Sequence, residues 1–173
     1  DFRHHMQNLA LLLRQEKPQE AEHYIEEFIH SLDTASQIDF CPHVTVNAIL
    51  NNFYNRTQKE GIAVSVTAEV PEDTAIADMD FVAILSNLLE NACNGCTACG
   101  SHGKITVSLR MNKGKLVIVC SNPCAPGLVI VDDMIEPKGT GIESILMAVD
   151  KYDGNIRYHL QDGIVTASLV LNC

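Results

Sequence analysis

Two asparagines four residues apart, Asn87 and Asn91, sit inside an otherwise strong helical run, Asn87-Leu88-Leu89-Glu90-Asn91-Ala92. That spacing puts their amides one turn apart, opposite an apolar stripe of Phe81, Ile84, Leu85, Leu88 and Ala92. Asn is a middling helix former because its side chain competes for backbone hydrogen bonds, so the pair carries a cost that needs a reason. An amide oxygen is a neutral, hard ligand. Mg²⁺ takes a few such protein oxygens and fills its other positions with waters and phosphate oxygens. Asn91 is therefore a candidate metal ligand with Asn87 beside it. A solvated face that happens to use Asn accounts for the same pattern.

A second constellation is Lys138-Gly139-Thr140-Gly141, directly before a helical run that starts at Ile142. Glycines let backbone approach phosphates closely, and a helix N-terminus offers unpaired N–H groups and positive potential. Lys138 adds a point charge. A plain loop with an N-capping Thr fits as well. Neither the P-loop spacing nor the dinucleotide-binding glycine pattern occurs, so a nucleotide site here is of another kind.

The apolar run Val117-Ile118-Val119-Cys120-Ser121 ends on Asn122, followed by Pro123. The side-chain oxygen of Asn122 can accept from the exocyclic amine of adenine; Asn-Pro is equally a turn signal. The stretch from Pro123 to Lys138 shows no periodicity and is long for a loop in a compact domain, a length that often covers a site. Near the start, Arg3-His4-His5 precedes Asn8 in a helical run. Adjacent helical residues point about 100° apart, which disfavours joint metal binding. One histidine can serve as nucleophile while the other orients or deprotonates it; two surface histidines or a tag remnant is the plain alternative.

Cys93, Cys96 and Cys99 have the spacing of iron–sulfur ligands, with His102 close behind. Because residues 84–98 read as one helix, small buried or half-buried thiols are the preferred reading. Seven cysteines, an odd number without a secretory leader, favour reduced thiols over a disulfide framework.

These residues are carried by recognisable elements. Phe2, Met6, Leu9, Leu12 and Leu13 recur at helical spacing; after Glu16-Lys17-Pro18 the period resumes over residues 21–35. Two short helices with so small a core read as an antiparallel hairpin that dimerises into a four-helix bundle. Residues 39–43 break the pattern and mark a domain boundary, giving a hairpin over 1–40 and a second domain over 44–173. That domain reads as a helix over 44–59 ended by Gly61, a strand over 62–70 and a long helix N-capped by Asp80. A hairpin over 104–111 and 115–121, a helix over 142–152 and a last hairpin over 155–161 and 164–171 complete it. Grouped helices with adjacent antiparallel strands predict helices layered on a sheet, an α+β fold.

A formal net charge of −10 argues against a nucleic-acid partner, whose phosphates call for clustered Lys and Arg. No apolar run reaches the ~20 residues that span a bilayer. Residue 1 already sits in a polar helix-like segment, as though cut within a helix, so a longer protein is expected.

Together the four pieces resemble a known family. Phe2-Arg3-His4-His5-Met6-Gln7-Asn8 resembles the phosphoacceptor box of sensor histidine kinases of the quorum-sensing and peptide-pheromone type. Asn87-Leu88-Leu89-Glu90-Asn91-Ala92 is similar to the N box of the GHKL ATPase superfamily, and Gly139-Thr140-Gly141-Ile142 to its second glycine box. The segment ending at Asn122 resembles the strand that, in this branch, carries Asn in place of the acidic glycine box. The resemblance implies a Bergerat-type sandwich of helices on a mixed sheet behind a dimerising helical hairpin. It further implies ATP and Mg²⁺ as cofactors, phosphorylation of His4, and transfer to an aspartate of a response regulator receiver domain. Asn91 is then the Mg²⁺ ligand with Asn87 assisting at the phosphates, Asn122 contacts adenine, and Lys138, Gly139, Thr140 and Gly141 form the phosphate cradle. The resemblance also implies that the chain is the cytoplasmic portion of a bacterial membrane-anchored sensor whose sensor region lies outside it.

Two departures stand out. The residue after the phosphoacceptor is usually acidic and here is His5, which accepts a proton only when neutral; autophosphorylation is expected to slow below about pH 6. The acidic glycine box is missing, which lowers the expected ATP affinity. The rival readings are a degenerate nucleotide-binding module that signals through dimer contacts and a metal-dependent redox sensor built on the cysteines.

Overall fold

The structure, a computed structural model, describes residues 10–15, 17–33, 38–100, 103–124, 126–136 and 139–173. The chain divides into two units, Asp1–Ile38 and Asp39–Cys173.

In the first unit residues 10–14 are helical (α1) and a second helix, α2, runs over Pro18–Asp33. Pro18 opens α2, where its missing N–H costs nothing because first-turn N–H groups have no intrahelical partner. Residues 1–9, 16 and 34–37 of the expected hairpin lie outside the described residues.

The second unit runs α3 (Val44–Lys59), β1 (Ala63–Glu69), α4 (Asp78–Ala98), β2 (Lys104–Asn112), β3 (Lys115–Pro123), β4 (Val129–Val131), β5 (Met134–Glu136), α5 (Thr140–Asp150), β6 (Asn155–Gln161) and β7 (Ile164–Asn172). Five strands form one sheet in the order β1-β2-β3-β7-β6. β1 and β2 are parallel and the other neighbours antiparallel, so the sheet is mixed. Alternation aims Leu116, Ile118, Cys120 and Asn122 of β3, and Val165, Ala167, Leu169 and Leu171 of β7, to the buried face. Against it lie Val46 and Leu50 of α3, Phe81, Ile84 and Leu85 of α4, and Ile145 of α5, all essentially inaccessible. This is a two-layer α+β sandwich of helices on a mixed sheet. No described helix is long and apolar enough to cross a membrane.

Two expectations need correction. The stretch after Pro123 is not irregular throughout: β4 and β5 pair antiparallel, Val129 opposite Glu136. Their turn uses Asp132 at φ 49° and Asp133 at φ 61°, left-handed values that Asp tolerates better than most residues. Three-residue strands are too short to announce themselves by alternation. The turn leads back to the free edge of β6, where the Tyr158 N–H donates to the Asp133 carbonyl at 2.7 Å.

Asp80 does not cap α4, which begins two residues earlier behind Ala77, whose side chain makes no cap bond. A tertiary contact anchors the cap residue instead: the Ala77 N–H donates to the Tyr152 hydroxyl at 2.9 Å. Asp80 accepts instead from Lys151 Nζ and from the Tyr152 hydroxyl, both at 2.7 Å. The Lys151 ammonium above all, with the Tyr152 hydroxyl, holds the Asp80 carboxyl below its ordinary range against the opposing effect of burial.

The segment at 39–43, which opens the second unit, packs into it. His43 caps α3, its Nδ1 accepting from the Val46 N–H at 3.4 Å, and its ring meets Phe81 with centroids 4.8 Å apart. The Phe40 N–H donates to Asn47 Oδ1 at 2.9 Å, and Cys41 is buried.

Candidate active site

A cavity of about 320 Å³ lies between α4, α5 and the buried face of the sheet. Asn91 and Gly95 enter it from α4, Cys120 and Asn122 from β3, Tyr158 from β6, Ala167 from β7 and Ile142 from α5; Leu128, just before β4, and Ile135 of β5 flank it. The walls are mostly apolar with a few polar groups at defined places, the usual make-up of a small-molecule site.

Sequence separation alone keeps Asn91, Asn122 and Ile142 far apart; the fold brings them to one cavity. Asn122 is buried, and its Nδ2 donates to the Pro123 carbonyl at 2.7 Å. That bond fixes the amide and leaves Oδ1 as the acceptor. Asn91 is exposed on α4, and its side chain makes no hydrogen bond among the described residues, so its oxygen is available as a ligand.

The asparagine face of α4 is not a solvated one at Asn87, which is half-buried. α5 packs on α4 there, and Asn87 Nδ2 donates to the Ala83 carbonyl. A Cβ on Gly141 would lie 3.0 Å from Asn87 Oδ1, so the absence of a side chain on Gly141 sets how closely α5 approaches. The residue before that turn, Gly139, stands at the N-cap of α5 with φ −87° and ψ 165° and no side-chain cap bond; Thr140 is the first helical residue and does not cap. The first N–H groups of α5 are thus free of side-chain partners among the described residues, the arrangement that binds anions. Lys138, His4 and His5 lie outside the described residues.

Two site residues had gone unnoticed. Gly95 continues the i, i+4 line of Asn87 and Asn91, and glycine inside a helix costs stability, a signal in itself. Its place is explained by crowding: a Cβ would overlap Asn122 Nδ2 and come within 2.8 Å of the Pro123 carbonyl oxygen. Tyr158 carried no motif. Burial, and to a lesser degree Cys120, pushes its hydroxyl up to about 12.

The cysteines belong largely to the core. Cys93 and Cys96 are buried on α4 and Cys120 on β3, while Cys99 and Cys124 are half-exposed. Burial pushes the Cys93 thiol up to about 11 and that of Cys120 to about 12. Among the described residues no group of three His, Cys, Asp or Glu side chains is placed to hold a metal; His102 lies outside them.

The family described as GHKL domain matches residues 76–172. No curated protein matches the chain. Among solved structures, the catalytic domain of histidine kinase ThkA in a nucleotide-free form is 18% identical with a TM-score of 0.59, over 74% of this chain and 89% of that one. Acinetobacter baumannii histidine kinase AdeS is 16% identical, TM-score 0.58, over 94% and 84%. The histidine kinase domain of the Erythrobacter litoralis EL346 blue-light-activated kinase is 12% identical, TM-score 0.61, over 95% and 85%. At these identities the likeness is one of fold.

Proposed function

This chain belongs to the GHKL domain family, and on that premise we propose that it is the phosphoacceptor and ATP-binding part of a two-component sensor histidine kinase. One observation carries the reading: Asn91 on α4 and Asn122 at the end of β3 open into one cavity beside the uncapped N-terminus of α5.

The chemistry follows from what each group offers. Asn122 Oδ1 accepts from the amine of adenine, because its amide nitrogen is already engaged by the Pro123 carbonyl. The backbone N–H groups at Gly139, Thr140 and Gly141 receive phosphate oxygens at the positive end of the helix dipole, with Lys138 adding charge. Asn87 acts through Gly141, setting how α5 meets α4. Asn91 supplies the hard oxygen that suits Mg²⁺, an ion that would neutralise phosphate charge there.

His4 is the nucleophile. A bond forms from a ring nitrogen to the γ-phosphorus as the bond to the ADP oxygen breaks, and His5 takes the imidazole proton. Phosphohistidine then passes the phosphoryl group to an aspartate of a response regulator receiver domain. Residues 1–40 form the homodimerising hairpin and residues 44–173 the catalytic domain, within the cytoplasmic portion of a membrane-anchored sensor of the quorum-sensing type.

The test uses γ-labelled ATP with Mg²⁺ on the parent, His4→Gln and Asn91→Ala. Label on the parent that is lost in both variants supports the proposal. Label that persists in His4→Gln overturns the acceptor, and no label on a parent that binds ATP overturns the kinase.

A further inference from the structure

We infer that Tyr158 is a nucleotide-binding residue whose hydroxyl donates to a ring nitrogen of the purine, completing with Asn122 a two-point contact that selects adenine; this rests on the cavity being the ATP site.

Two independent observations meet at this residue. First, Tyr158 is only 5% exposed, and its hydroxyl is the one buried side-chain polar atom without a hydrogen-bond partner among the described residues. A buried tyrosine hydroxyl almost always finds a partner, so an orphan asks for one that the chain does not supply. Second, Tyr158 lines the same cavity as Asn122.

Register places the two on one face of the sheet, diagonally, with Asn122 two residues further along β3 than the row of Tyr158. Tyr158 pairs with Ala167 on β7, which pairs in turn with Cys120 on β3, and Asn122 follows Cys120 on the same face. At strand spacings of ~4.8 Å, β6 and β3 stand roughly 10 Å apart. The β7 side chains on the floor between them are Ala167, in the row of Tyr158, and Val165, in the row of Asn122. One wall therefore offers an acceptor and the other a donor. Adenine presents the complement, an exocyclic amine and ring nitrogens. The raised tyrosine pKa keeps the hydroxyl protonated, hence a donor, at any physiological pH.

The experiment titrates ADP with Mg²⁺ into the full chain, its Tyr158→Phe variant and the same pair with 1-deaza, 3-deaza and 7-deaza ADP. Thermal unfolding without nucleotide is followed alongside. We expect Tyr158→Phe to weaken ADP binding about five- to tenfold, the effect of one neutral hydrogen bond in a dry site, with no fall in Tm. One deaza analogue should bind the parent more weakly and be indifferent to the substitution. Equal ADP affinity for parent and variant overturns the inference while leaving the ATP reading intact. So does a loss that is the same for every analogue, which marks a packing role. A parent that binds no adenine nucleotide overturns both.

Discussion

Gly95 and Asn122 are packed so closely that a Cβ on Gly95 would overlap the Asn122 amide nitrogen and sit 2.8 Å from the Pro123 carbonyl oxygen. The contact joins the last turn of α4 to the end of β3 and holds the Asn122 amide against the Pro123 carbonyl. Gly95→Ala should therefore destabilise by about 1–3 kcal/mol, the usual cost of overpacking, despite the higher helix propensity of Ala. Urea unfolding measures it. A variant as stable as the parent would mean that β3 and α4 separate freely, and Asn122 would then not be a fixed acceptor.

Gly141 and Asn87 form the corresponding contact between α5 and α4, looser at 3.0 Å. Gly141→Ala should cost up to about 1 kcal/mol of stability, and adding Asn87→Ala should recover most of it. Contacting residues typically couple by about 0.5 kcal/mol or more, so a double-mutant cycle resolves the effect. Strict additivity would show that the two residues act independently.

The carboxyl of Asp80 ties the start of α4 to Lys151 and Tyr152 at the end of α5. Its folded pKa lies below the unfolded value of about 3.9. The stability it contributes is thus fully present above about pH 4 and is lost as pH falls through the lower folded value. Asp80→Asn should be less stable than the parent at pH 7, by about 1–2 kcal/mol. That difference should shrink on acidification below pH 4; a constant difference down to pH 2 would contradict the assignment.

Much of this fold was legible because its elements are long and periodic. The α3 bounds, the two antiparallel hairpins of the main sheet and α5 were visible as runs of one period closed by turn residues. What stayed hidden depends on tertiary partners. The start of α4 is anchored by Tyr152, some 75 residues away, whose hydroxyl accepts from the Ala77 N–H at the head of the helix. The β4–β5 pair is too short for a pattern. Of the cavity lining, Asn91 and Asn122 were readable from residue type, whereas Tyr158 is an ordinary strand tyrosine until the fold reveals its unpaired hydroxyl.

Burial also ranks the thiols. The reacting species is the thiolate, so Cys93 and Cys120, raised to about 11 and about 12, should resist alkylation at pH 7.5. Exposed Cys173 should label first, then half-exposed Cys99 and Cys124, with buried Cys41, Cys93, Cys96 and Cys120 labelling only on unfolding. Peptide mapping by mass spectrometry after timed iodoacetamide treatment gives the order. Early labelling of Cys93 or Cys96 would contradict the packing of α4.

The central claim, that the cavity between α4, α5 and the sheet takes an adenine nucleotide through Asn122 and Asn91, is tested most directly by calorimetric titration with Mg²⁺ present. Saturable one-to-one binding of ADP is predicted, weakened about tenfold in Asn122→Ala, lowered in Asn91→Ala, and far weaker for GDP, whose O6 faces the Asn122 oxygen acceptor to acceptor. No ADP binding by the folded parent, or binding untouched by either substitution, would contradict it.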